Sequence, residues 1–235
     1  MEYIQDYKIT VRQLLTGNRP MVDSITDIAP TASGTWPFIK NIKIWDEFNL
    51  DVFPSPIAIT DLALLFRRNV DLLEEALPPA RLALNLHLDK QCMHDCATVD
   101  RNAKFLTIGG KLDLHHAIWL EHQPILNVLA GLGKTSKYWR GSELQDQLRI
   151  GGNTQVKARL MWPVRQLANI CKKANTRYGY IQTDKELVVF EFDRRGDGEY
   201  DVQFMPIMWS TLGGLTTDLA LLCLCLISMT NPSNA

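Results

Sequence analysis

The sequence lacks a surplus of either charge, a long hydrophobic run and an even set of cysteines. Lysine and arginine total 25 against 26 aspartates and glutamates, so any electrostatic binding requires a local patch. The longest uncharged apolar run, Leu219–Met229, is about half the ~20 residues that a membrane span requires. Five cysteines fit a reducing compartment better than a disulfide framework. The N-terminus also lacks the basic start and apolar run of a signal peptide, so we expect an intracellular protein without a membrane partner.

The first quarter of the chain differs in composition from the rest. Residues 1–59 hold five prolines with serine, threonine and glycine between them, which predicts an irregular arm with short strand-like pieces such as Phe38–Trp45. Residues 60–235 are predicted to form one α/β domain, with 46% hydrophobic residues in the whole chain available for its core.

Hydrophobic periodicity in residues 60–235 alternates between helical and strand spacing. This order predicts an α/β domain with a mixed sheet. The predicted elements are a helix starting at Thr60-Asp61, a hairpin over Lys104–Leu120, a buried strand Ile125–Ala130, a helix Gln155–Lys173 started or kinked by Pro163, two strands within Asn175–Phe192 joined by Thr183-Asp184-Lys185, a strand around Asp201–Trp209 and a helix from about Thr216.

Several short motifs occur in a recognisable order over about residues 105–192. They are Gly133–Trp139 after an apolar strand, Trp162–Gln166, Thr176–Tyr180 and Thr183–Val189. This stretch resembles a family of fungal proteins with a PD-(D/E)XK nuclease-like domain. The resemblance implies a restriction-endonuclease-like core, in which helices flank a central mixed sheet.

The resemblance also implies a site of two carboxylates and a lysine. The first acid corresponds to Asp113, the lysine to Lys134 and the glutamine of the following helix to Gln166, while Glu74 or Glu75 corresponds to the helical acid of some members. In such a site carboxylates hold Mg²⁺, which polarises the phosphate and activates a water. An active protein would therefore bind Mg²⁺ through Asp113 and Glu74.

The position of the second acid departs from the family pattern. It falls on Leu132, two residues before Lys134, and no Asp/Glu-x-Lys triplet follows Asp113 anywhere in the chain. A leucine cannot ligate a hard cation. Either an acid such as Glu143 or Glu74 has migrated into the site, or catalysis has been lost.

A cluster of basic and aromatic residues follows the predicted buried strand. Lys134, Lys137 and Arg140 surround Tyr138 and Trp139, a combination that can hold phosphates and stack on bases. With Arg165 they form the predicted nucleic-acid or phosphate-binding surface, and a protein partner is the alternative. The structural interpretation is a solvated loop with Trp139 anchored in the core.

Other patterns suggest weaker alternatives. Gly131–Thr135 resembles part of a phosphate-binding loop, but Val128 stands where the full pattern needs glycine. Cys92, His94 and Cys96 are metal-ligand types without a second Cys/His pair of usual spacing, so helix-end or loop residues are the favoured interpretation. His115-His116 are adjacent, so they cannot both face one metal on a strand. No nucleophile-elbow pattern supports a hydrolase.

The resemblance therefore implies a PD-(D/E)XK nuclease-like protein, and Leu132 predicts that it has lost catalysis and serves as a binding or accessory protein. An active Mg²⁺-dependent nuclease that uses Asp113, a migrated carboxylate and Lys134 is the alternative.

Overall fold

A central mixed sheet with helices on both faces forms the described part of the protein, as the α/β prediction requires. The computed structural model describes residues 9–10, 32–49, 58–59, 92–98, 114–120, 126–152, 156–212 and 214–230. The strands are β1 Ile9–Thr10, β2 Ile39–Ile44, β3 Ala58–Ile59, β4 Cys92–Thr98, β5 Leu114–Leu120, β6 Leu126–Gly133, β7 Tyr178–Gln182, β8 Glu186–Arg194 and β9 Tyr200–Met208. The helices are α1 Gly141–Gly151, α2 Ala158–Ala174 and α3 Thr217–Thr230.

Seven of these strands share one sheet in the order β2-β9-β8-β7-β6-β5-β4, and β1 pairs separately with β3. Strands β4, β5 and β6 run antiparallel to one another, β6 pairs with β7 in parallel, and β7, β8 and β9 are again antiparallel. The parallel step from β6 to β7 needs a crossover, which α1 and α2 supply. This crossover places α2 against β6, the strand that Lys134 follows.

Two hydrophobic layers hold the helices on the sheet. On one face, Leu144 of α1 and Leu160 and Leu167 of α2 pack on Phe190 of β8. On the other face, the apolar part of α3 packs on Val189 and on neighbouring strands. Strand β8 is buried on both faces over most of its length, which is typical of a central strand and explains its apolar run Leu187–Phe190.

A bulge in β6 connects the sheet to α3. His116 pairs with Leu129 while Ala117 pairs with Asn127, so Val128 is an extra residue in β6. The Val128 carbonyl accepts a hydrogen bond from the Ser228 hydroxyl of α3 at 2.6 Å. The contact satisfies a backbone group of the bulge from outside the sheet.

Comparison with the predicted elements confirms most of them. The strands at 126–133, 178–182, 186–194 and 200–208 and the two long helices lie within a few residues of their predicted positions. Helix α2 begins at Ala158 and continues through Pro163, so the proline does not start it. The segment between the predicted strand Ile125–Ala130 and α2 contains a further helix, α1, which the sequence pattern did not predict. The predicted helix after Thr60-Asp61 lies outside the described residues.

The predicted N-terminal arm contributes a strand to the main sheet. Ile39–Ile44 pairs in parallel with β9, so the sheet includes residues on both sides of the predicted boundary at 59 and 60. The strand-like piece Phe38–Trp45 is confirmed. In the part of the chain that the structure describes, no helix is both long enough and apolar enough to cross a membrane.

Candidate functional site

The end of β6 positions the candidate lysine. Lys134 follows Gly133, the last residue of the strand, and its backbone N–H donates to the Gln182 carbonyl at 2.9 Å. This bond extends the parallel pairing of β6 with β7 by one residue, so the backbone of Lys134 is held by the sheet. Its side chain is therefore attached to a rigid strand end and is partly buried.

Lys134 and Gln166 meet although 32 residues separate them. The Lys134 ammonium donates to the Gln166 side-chain oxygen at 2.9 Å, in a partly buried setting. Gln166 lies on α2, the crossover helix that packs on β6. The structure thus brings together two residues that the sequence pattern assigned independently to one site. Their catalytic role stays a prediction.

Leu132 occupies the position where a second carboxylate was expected. Its side chain is fully buried in the layer between the sheet and α2, with Leu160, Val164 and Leu167. Alternation along a strand puts Leu132 and Lys134 on the same side of β6. The side chain next to the lysine is therefore hydrocarbon and offers no ligand to a hard cation.

The described residues do not include the two carboxylates that the predicted Mg²⁺ site requires. Asp113 and Glu74 lie outside the described residues. Glu143, considered as a migrated acid, lies on α1 and forms an ion pair with Arg159 of α2. Within the described side chains, no group of three or more His, Cys, Asp or Glu residues could hold a metal ion.

The prediction that Trp139 offers a stacking face was wrong. Its side chain is only 1% exposed, and its indole N–H donates to the Leu160 carbonyl at 2.9 Å. The ring lies beside Phe190 in the core, with the centroids 6.5 Å apart. Burying so large an apolar ring stabilises the fold, and the buried ring is not accessible for stacking on a base. Trp139 instead anchors the loop to the domain, as the structural interpretation expected.

Arg165 supports the N-terminal segment. Its guanidinium donates to the carbonyl of Trp36 at 2.7 Å and to that of Pro37 at 2.8 Å. The guanidinium also lies over the Trp162 ring, 4.6 Å from the centroid. Two of its donors and one of its planar faces are therefore committed to the fold, so the predicted role in phosphate binding is not supported by its contacts.

Lys137 and Arg140 remain on the surface. Both residues are exposed in the loop between β6 and α1, and the Lys137 ammonium lies 5.2 Å from the centre of the Tyr138 ring. Arg140 is the last residue before α1. Of the predicted phosphate-binding residues, these two offer exposed cations on a loop whose neighbour Trp139 is fixed in the core.

The sequence reasoning missed a buried acid beneath this loop. Glu186 is fully buried, and its carboxylate accepts from the backbone N–H groups of Gly141 and Ser142, the latter at 3.1 Å. Glu186, the first residue of β8, therefore caps the free N–H groups at the start of α1. Burial raises the pKa of Glu186, although the N–H donors oppose the shift. In the sequence, the only indication of α1 is the four-residue spacing of Leu144 and Leu148.

Packing explains the glycine that suggested a phosphate-binding loop. A Cβ at Gly131 would lie 2.5 Å from the Tyr180 ring, so only glycine fits between β6 and this side chain. Gly131 pairs with Tyr180 inside the sheet, not in a loop. The described geometry gives no support to nucleotide binding at Gly131–Thr135.

Residues Cys92–Thr98 form a strand, which corrects the expectation of a helix end or loop there.

No family model, no curated protein and no solved structure matches this chain. The function must therefore be argued from the placement of its own residues.

Proposed function

We propose that this chain is a PD-(D/E)XK nuclease-like protein that has lost catalysis and binds a nucleic-acid partner in an accessory role. The observation that carries the proposal is the combination of the Lys134–Gln166 contact with Leu132 buried beside it. The pair supports a site of this family, and the leucine removes the carboxylate on which its metal chemistry depends.

The contacts of Lys134 favour a structural role for this residue over a catalytic one. In an active member the lysine supports the attacking water or the developing charge on phosphate. Here its ammonium is hydrogen-bonded to the neutral Gln166 amide and lies next to an apolar core. A mixed sheet with helices on both faces agrees with the restriction-endonuclease-like core that the resemblance implies.

The exposed cations suggest how a partner would bind. Lys137 and Arg140 lie on the loop that Trp139 and Ser136 hold in place, so two positive charges are presented from a fixed backbone. Such charges attract phosphate groups without reading base sequence. We therefore assign nucleic-acid binding to this loop, with contacts through phosphates and not through stacking on Trp139.

The active nuclease remains a second candidate because of where β5 starts. Leu114, its first residue, pairs with Gly131, and Asp113 is the preceding residue in the chain. The start of β5 therefore lies at the same end of the sheet as Leu132 and Lys134. The active candidate uses Asp113, which precedes this strand in the sequence, with a migrated carboxylate.

A cleavage assay separates the two candidates. The full chain is incubated with Mg²⁺ or Mn²⁺ and with single- and double-stranded DNA and RNA, alongside Asp113→Ala and Lys134→Ala. We expect the parent to cleave no more than either variant. Cleavage by the parent that both substitutions abolish would overturn the loss of catalysis.

A binding assay tests the accessory role. Fluorescence anisotropy with short nucleic acids compares the parent with Lys137→Glu/Arg140→Glu and with Lys172→Glu, an exposed lysine in the last turn of α2. We expect the double variant to bind at least about tenfold more weakly, with a salt dependence reduced by about one unit per lost phosphate contact. Equal losses in the Lys172→Glu control would refute the assignment of the loop.

A further inference from the structure

Three residues with metal-binding side chains occupy neighbouring positions on the outer two strands of the sheet. His94 and Cys96 lie two residues apart on β4, and successive residues of a strand alternate between its faces. Both positions therefore belong to one face of β4. The sequence alone did not reveal this relationship, because it depends on residues 92–98 forming a strand.

The register with β5 adds a third position. In the antiparallel pairing of β4 with β5, Cys96 is directly opposite His116, and His94 is opposite Ile118. Directly opposed residues share a face, so His116 belongs with His94 and Cys96. His115 pairs with Ala97 and belongs to the other face. The adjacent histidines are thus divided between the two faces, and only one joins the group.

Among the residues of β4 and β5, strand geometry limits the group to these three. Directly opposed Cβ atoms are about 5 Å apart and diagonal ones about 7–8 Å, while residues two apart along a strand are separated by roughly 7 Å. A metal ion bound about 2 Å from nitrogen and sulfur atoms can bridge such spacings. Cys92 is about 13 Å along the strand from Cys96, too far to join them.

We propose that His94, Cys96 and His116 form a binding site for Zn²⁺ between β4 and β5. One thiolate and two imidazoles are the donors that zinc prefers, and three such ligands leave a fourth tetrahedral position for water, a small ligand or another side chain. The β6 bulge at Val128 lies across from His116 and Ala117, and bulges are frequent beside functional positions. The site is separate from the Mg²⁺ chemistry considered for Asp113 and Lys134.

The three cysteines that lie outside β4 are packed in the core. Cys171, Cys223 and Cys225 are buried in the two helix-packed layers. Burial raises the pKa of Cys171 to about 12, and it raises that of Cys223 as well. Because only the thiolate binds zinc, these thiols are poor ligands at neutral pH.

Metal analysis of the full chain tests the proposal. After removal of any affinity tag, we expect the parent to retain about one zinc ion per chain, as a single tetrahedral site requires. His94→Ala, Cys96→Ser and His116→Ala are each expected to lower zinc affinity at least about tenfold. Cobalt added to the zinc-free parent is expected to give a sulfur-to-cobalt charge-transfer band, which Cys96→Ser removes.

Matched variants on the same strands distinguish loss of a ligand from loss of the fold. Cys92→Ser and His115→Ala are expected to keep zinc binding and the cobalt band, because neither position belongs to the group. Zinc is also expected to raise the denaturant midpoint of the parent and of both controls, but not that of Cys96→Ser. A parent that neither retains nor responds to zinc, or controls that lose binding as strongly as the ligand variants, would overturn the proposal.

Discussion

Asp184 and Ser136 are joined by two hydrogen bonds, in which the backbone N–H and the hydroxyl of Ser136 each donate to a carboxylate oxygen at 2.7 Å. The contact ties the turn between β7 and β8 to the loop that carries Lys137. Partial burial alone would raise the pKa of Asp184, but the bonds from Ser136 outweigh it and the pKa is lowered from 3.8.

Replacing Asp184 with asparagine is expected to destabilise the protein in a pH-dependent way. A carboxyl with a lowered folded-state pKa stabilises the fold above its unfolded pKa, and this contribution disappears as the pH falls through the folded pKa. We expect Asp184→Asn to lower the free energy of unfolding by about 1 kcal/mol at neutral pH and by less below pH 3.8. Urea unfolding at several pH values measures this, with exposed Asp193→Asn as the control. Equal losses at all pH values would contradict it.

Glu186 is expected to give the opposite pH dependence. Its folded-state pKa is raised, so the folded chain holds a proton at pH values where the unfolded chain has released it, and stability falls as the pH rises from about 4.5 through the folded pKa. Glu186→Gln keeps the size of the side chain and removes this titration. The difference in unfolding free energy between parent and variant should therefore change across that interval. Parallel stability curves would show that Glu186 does not contribute.

Gly131 is expected to tolerate no side chain. The added methyl of Gly131→Ala would meet the Tyr180 ring at 2.5 Å, and relieving such a contact costs about 1–3 kcal/mol. At Gly34 a Cβ has nothing within 4 Å, so Gly34→Ala serves as the matched control and should change stability by about 0.5 kcal/mol or less. Thermal unfolding of both variants measures the difference. Equal melting temperatures would contradict the packing explanation for this glycine.

Lysine is expected to be a poor replacement for Arg165. The guanidinium binds two consecutive carbonyls, at Trp36 and Pro37, and one ammonium cannot reproduce this planar arrangement. Arg165→Lys should lower the free energy of unfolding by about 1 kcal/mol and speed hydrogen exchange in β2, which follows the bound segment. Exposed Arg194→Lys is the comparison. Unchanged exchange in β2 would show that the N-terminal segment is held by other contacts.

The elements with strong local patterns could be predicted from the sequence. Strand β8 contains the apolar run Leu187–Phe190, and α2 has apolar residues at helical spacing, so each is specified by its own residues. Helix α1 could not be predicted in the same way. It begins with glycine and has few apolar residues, and its start is capped by Glu186, which lies 45 residues along the chain. A local pattern does not contain that interaction.

Pairing between strands was also beyond local reasoning. The expected hairpin paired residues 113–120 with 105–108, and the latter lie outside the described residues. In the structure β5 pairs with β4 on one side and β6 on the other. The choice of partners depends on which faces of several strands can be buried together, a property of the whole sheet.

The sequence by itself determined which residue types stand at the candidate site, including a leucine at position 132 where a carboxylate was expected. Only the tertiary structure decided that Lys134 meets Gln166, that Trp139 is enclosed by the core, and that His116 lies opposite Cys96. The reason is that residue type is a local property, whereas strand register and the α2 crossover arise from burying apolar surface over the whole chain.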